Sequence, residues 1–124
     1  SDVELLIDAL KNKEIDVLTT LHQPSSPINK EVAFYDAAYG CEALSNAMSI
    51  YYTKLVKSGL ITMQDLVQIA CKNPASTIGL KAGEIKVGSK ANAMLFCINN
   101  SKVLENEQSL YNKERLFGEV LTVY

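Results

Sequence analysis

Tryptophan is absent from this chain, histidine occurs once, and proline and cysteine occur three times each. One histidine, His22, is too few for a self-contained zinc site, which needs several converging His, Cys, Asp or Glu ligands. Cys41, Cys71 and Cys97 are odd in number, widely spaced and form no Cys-x-x-Cys pair. That pattern speaks against a zinc ribbon or a dithiol redox site and fits buried, reduced thiols. Neither charge sign dominates: 12 Lys and Arg stand against 14 Asp and Glu. Without a basic patch or arm, nucleic acid is not an expected partner. Apolar runs are only a few residues long, far short of the ~20 needed to cross a bilayer. Ser1-Asp2-Val3-Glu4 lacks the basic start and apolar core of a secretory signal. The default expectation is a cytoplasmic location with no membrane contact.

What is present, at 124 residues and 48% hydrophobic, is one small domain or part of a larger one. Residues 1–13 are predicted helical. Ser1 and Glu4 have capping-box spacing, and Val3, Leu6, Ile7 and Leu10 line one face. Ile15 to Leu21 is mostly apolar and predicts a strand covered on both faces, as in a parallel sheet. Pro24-Ser25-Ser26-Pro27 and Asn29 mark a loop over 22–31. Val32 to Gly40 is predicted partly extended. A helix follows from about Cys41 to Lys57, with Leu44, Met48, Tyr51 and Leu55 on one face, and Ser58-Gly59 ends it. Thr62 and Asp65 form a variant capping box for a helix facing inward through Leu66, Ile69 and Ala70. Asn73-Pro74 is expected to break it and start a short helix to Leu80. From Lys81 the pattern shifts to short apolar runs, Ala93 to Ile98 and Leu116 to Tyr124, which predict β-strands with a turn at Asn99-Asn100-Ser101. The division expected is 1–80 as α/β barrel material and 81–124 as a small β unit.

Four blocks, in order, resemble the dihydroorotases and related cyclic amidohydrolases. Thr20-Leu21-His22-Gln23-Pro24-Ser25 is similar to the family's Thr-Asp-His-Ala-Pro-His. Phe34-Tyr35-Asp36-Ala37-Ala38-Tyr39-Gly40 is similar to Phe-x-x-Ala-Pro-Phe-Gly, and Ala43-Leu44-Ser45-Asn46-Ala47 follows where the family often has Gly-Leu-Glu-Thr-Ala. Asn73-Pro74-Ala75 with Gly79-Leu80 is the third block. Gly83-Glu84-Ile85 with Gly88-Ser89-Lys90-Ala91-Asn92-Ala93 is the fourth, with Asn92 in place of Asp. The resemblance implies the C-terminal portion of a metal-dependent-hydrolase TIM barrel, from the eighth strand on, followed by part of a composite β-sandwich. The family's His-x-His pair, carboxylated lysine and other zinc ligands belong to earlier strands and are not in this chain.

Two departures fall on the motif itself. Leu21 stands where the family has the metal-linked Asp that serves as general base and then acid, a role worth roughly 10²–10⁴ in rate. Ser25 replaces the histidine that helps bind the substrate's carboxylate. No catalytic or metal-ligating residue is therefore expected here, and His22, Gln23, Pro24 and Ser25 are the substrate-loop candidates. Leu21 also reads as a core residue at a strand end, and His22 as a hydrogen-bonded loop histidine. The resemblance implies a non-catalytic scaffold of pyrimidine biosynthesis, with aspartate carbamoyltransferase as a partner. The alternatives are an active zinc-dependent cyclic amidohydrolase with a relocated base, for which Glu31 and Asp36 are the nearest acids, and a small self-associating structural domain. A lone strand with open edges, in a chain this apolar, further implies attachment to missing barrel segments or homo-oligomerisation.

Overall fold

The computed structural model describes residues 1–124. Helix α1 (Asp2–Lys11) starts at a reciprocal capping box. The Glu4 amide donates to Ser1 Oγ, and the Glu4 carboxylate accepts from the Ser1 backbone nitrogen. One of the amides a helix start leaves free is met this way, and the Ser1 ammonium is paired with the Glu4 carboxylate. Its apolar face is only half used, because Leu10 packs on the core while Val3 and Leu6 stay exposed.

The segment 15–21 forms no strand. A strand exists by its ladder, and no other part of the chain runs beside this one. It is held by single bonds to the helices: the Leu18 amide donates to Ile69 O at 2.9 Å, and Asn73 Nδ2 donates to Asp16 O at 2.7 Å. The stretch expected to be extended, Val32 to Gly40, instead turns at residues 34–36 and exposes Phe34, Tyr35 and Tyr39.

A second helical run opens with a 3-10 turn (Leu44–Asn46), continues as α2 (Ala47–Tyr51) and ends in a π turn (Tyr52–Val56). Leu44 does not join the inward face, but Met48, Tyr51 and Leu55 do. Gly59, at φ 78°, ends the run, with amides 59 to 61 returning to carbonyls 55 and 56. That left-handed step is the usual reason for glycine at a helix end.

Helix α3 (Met63–Val67) begins at the second capping box, and Pro74 does not interrupt the helical run beyond it. A π turn (Gln68–Lys72) leads directly into α4 (Asn73–Thr77). Proline lacks an amide and its ring crowds the carbonyl four residues back. A widened turn, with i→i+5 bonding, makes room for the ring just there.

The β unit is one antiparallel pair, β1 (Met94–Val103) and β2 (Arg115–Val123). The expected turn at Asn99-Asn100-Ser101 lies inside β1, where the register slips between Cys97 and Ser101. Glycine sits opposite this bulge: Gly118 has φ 84°, and the Phe96 ring lies against its Cα. The backbone groups that the bulge leaves unpaired are met by hydroxyls one helical turn apart. Ser49 Oγ donates to Gly118 O at 2.7 Å, and the Phe117 amide donates to Thr53 Oγ1 at 2.7 Å. Helix and β unit are thereby fastened together.

Two small cores result. Ile61, Leu66 and Ile69 gather Leu10, Leu18, Met48, Tyr51 and Leu55 around them, while Ile50, Leu104 and Leu116 join helix to hairpin. Only 12 of 124 residues are buried, so much of the apolar surface faces outward. The three cysteines are unpaired and half-buried. Tyr51, Tyr52 and Tyr111 contribute to packing; burial, with Tyr111 nearby, pushes the Tyr51 phenol above its ordinary range. No helix is long and apolar enough to cross a membrane.

Asp65 gives this helical core a pH signature. Bonds from Thr62 Oγ1 at 2.6 Å and the Thr62 amide at 3.1 Å, then Lys13 at 3.1 Å, lower its carboxyl from 3.8 to about 2. A depressed acid stabilises the fold above its unfolded value and loses that contribution as pH falls through the folded one. Stability is therefore expected to fall between pH 3.8 and about 2. In Asp65→Asn the acid-side slope of the unfolding midpoint should flatten in that window, and an unchanged slope would refute the assignment.

Candidate functional site

The sequence singles out the turn at residues 21–25, and its geometry begins with Leu21. This residue has φ 42° and an exposed side chain, so it is not a core residue at a strand end. Left-handed backbone is costly for leucine, and Asn and Asp tolerate it better. The position therefore keeps a backbone suited to a short polar side chain while carrying one that can neither ligate a metal nor carry a proton.

His22 turns back onto the next helical run. Its Nδ1 accepts the Ala43 amide at 3.2 Å and the Leu44 amide at 3.1 Å. Both donors lie at a helix start, where amides lack intrahelical partners. An Nδ1 that accepts two bonds carries no proton, so the neutral ring bears its hydrogen on Nε2. Gln23 is fixed by its backbone, its amide donating to Cys41 O at 3.1 Å. Gly40 makes that approach possible: a Cβ there would stand 2.6 Å from Gln23 Cβ. Ser25 Oγ accepts from Asn29 Nδ2 at 3.5 Å, a weak contact. Lys30 closes the loop by donating through Nζ to Ala38 O at 3.1 Å and to Gly40 O. Pro24 makes no polar contact and serves the turn.

The acids suggested as replacement bases, Glu31 and Asp36, are exposed and have no bond to His22. The acid beside the histidine is Glu42, which no motif in the sequence singles out. Its buried Oε1 lies 3.9 Å from His22 Nδ1. The available signal was slight: an acid three residues before Ser45, where a side chain can accept a helix-start amide. Farther off, a cavity of about 100 Å³ touches Asp16 and Asp65, but Asp65 is committed to Thr62 and Lys13.

Residues 1–112 match the model of the Amidohydrolase family. The chain belongs to the amidohydrolase family. It is 37% identical over 115 residues to a "Probable dihydroorotase-like protein" of Helicobacter pylori, covering 93% of this chain and 30% of that one. It is 38% identical over 126 residues to a "Dihydroorotase" of Elusimicrobium minutum, covering 100% of this chain and 29% of that one. In structure it is similar to the D-hydantoinase of Bacillus sp. AR9, with TM-score 0.83 and 25% identity over 98% of this chain and 30% of the other. This amidohydrolase chain thus spans about 30% of the length of these relatives. The α/β architecture inferred from the motifs, a portion of a cyclic amidohydrolase, stands.

The amidohydrolase family generally uses zinc. The side chains present do not make a zinc site by themselves: no three His, Cys, Asp or Glu converge, and the one histidine has committed Nδ1 to backbone amides.

Proposed function

We propose that the protein carrying this chain is a dihydroorotase-like amidohydrolase that has kept its scaffold and lost hydrolysis, and that it holds a partner enzyme of pyrimidine synthesis. The observation that carries this reading is Leu21, an exposed hydrocarbon side chain where the resemblance puts the acid–base carboxylate. The outward apolar surface supports attachment to further barrel segments or to another copy, since such patches mark interfaces. Aspartate carbamoyltransferase is the proposed partner, on the resemblance alone.

The test is zinc per polypeptide and dihydroorotate turnover in the full-length protein. Absence of both in a folded sample is the expected result, and turnover with bound zinc would overturn it. The variant Leu21→Asp separates chemistry from folding. Buried carboxylates are costly, so a core position would make this change destabilising. The side chain is exposed at φ 42°, so the opposite sign is expected: Asp relieves backbone strain, a gain of about 1 kcal/mol. Turnover should remain undetectable; its appearance would count against the scaffold reading.

A second reading is favoured by the 38% identity to the relative named dihydroorotase. In it the protein is an active zinc-dependent cyclic amidohydrolase whose base comes from another segment. One or two zinc ions per chain would bring it forward.

A further inference from the structure

Glu42 is the only buried carboxylate in the chain, and it faces no lysine or arginine. Its three polar ties run to two segments, the helix start at Ser45 and the connection between β1 and β2. Oε1 accepts the Ser45 amide at 3.1 Å, Oε2 accepts Asn106 Nδ2 at 3.1 Å, and its own amide donates to Gln108 O at 2.9 Å. Asn106 is itself held in place, its amide donating to Asn112 Oδ1 at 3.0 Å and its Oδ1 accepting the Gln108 amide at 3.0 Å. The connection between β1 and β2 is therefore a braced platform against which residues 42–45 rest. A buried charge is costly unless hydrogen bonds compensate it. An apolar side chain would fill this space at less cost, so packing alone does not account for a carboxylate.

We propose that Glu42 is a positioning residue for His22. By fixing the backbone of 42–45 against the hairpin connection, it aims the Ala43 and Leu44 amides at His22 Nδ1. Those two amides hold the imidazole as the Nε2–H tautomer. A ligand reaching the ring then meets a donor, which suits an acceptor oxygen of a carbonyl or carboxylate and not a cation. This rests on the reading of residues 22–25 as a ligand-facing loop of a dihydroorotase-like protein. The positioning itself does not depend on whether hydrolysis survives.

Glutamine is an informative replacement. Glu42→Gln keeps the shape, but its amide must turn NH₂ toward either the Ser45 amide or Asn106 Nδ2, setting donor against donor both ways. The experiment is ¹⁵N NMR of the imidazole nitrogens in the full-length protein at a pH where the ring is neutral, with His22 assigned through a His22→Gln variant. Wild type should show a single Nε2–H tautomer. Glu42→Gln should show a tautomer mixture, the two nitrogen shifts moving toward each other, with far-UV circular dichroism unchanged. Should that variant fail to fold, Asn106→Ala carries the test, since it keeps the carboxylate and removes its brace. A pure Nε2–H tautomer in a folded Glu42→Gln or Asn106→Ala protein would overturn the proposal, as would an Nδ1–H ring in wild type. Zinc content and turnover judge the functional reading separately, so the two can fail independently.

Discussion

Gly40→Ala is expected to cost about 3 kcal/mol and to release His22 from its amides. Two effects add. Gly40 has φ 79°, and an L-residue in left-handed backbone costs roughly 1–2 kcal/mol. The new Cβ would also sit 2.6 Å from Gln23 Cβ and 2.7 Å from Gln23 O. Overpacking of this kind costs roughly 1–3 kcal/mol. One of the two atoms is backbone, so no rotamer change relieves the clash. The turn at residues 21–25 must move, breaking the Gln23–Cys41 bond, and His22 lies one residue away. Gly88 provides the control. It has φ 84° but nothing within 4 Å of its added Cβ, so Gly88→Ala should cost only the backbone part, about 1 kcal/mol. Urea unfolding of the two variants measures the difference, and the His22 imidazole signal reports the release. Equal costs would show that the Gly40–Gln23 contact yields without strain.

The parts legible in the sequence are those whose partners lie close by along the chain. Both capping boxes, Ser1 with Glu4 and Thr62 with Asp65, span three residues and form as read. Gly59 takes the positive φ that its helix-end position implies. Where the deciding partner is distant, local chemistry misleads. Asn99-Asn100-Ser101 is good turn material by composition, yet Gly118 across the ladder and Ser49 and Thr53 on a helix make it a bulge. Ile15 to Leu21 has strand composition, but its segment lacks a ladder partner. Pro74 has the signature of a helix start, and a π turn that local composition does not announce carries the helix through it. Glu42 carries no local signature because Asn106, which accounts for it, lies 64 positions away. The motif at 20–25 was legible as a family likeness, whereas the exposure and backbone strain of Leu21 were not.

Leu66→Ala is expected to destabilise the protein by about 3–4 kcal/mol, within the range for emptying a leucine site in a packed core. Leu66 is fully buried, and Ile61 and Ile69 surround it. The same cluster receives Leu10 from α1 and Leu18 from the segment that ends in the candidate site. Because no ladder holds residues 15–21, Leu18 and its amide bond to Ile69 O are their principal anchors to this core. Emptying the Leu66 site should therefore loosen residues 15–21 as well as the helices, and amide exchange at Leu18 should rise with the loss of stability. Leu21→Ala makes the comparison, since an exposed side chain with no core contact should change stability by less than about 0.5 kcal/mol. If Leu66→Ala leaves Leu18 as protected as in wild type, the helical core is not what places this segment. A ladder from another segment would then set the position of Leu21 and His22.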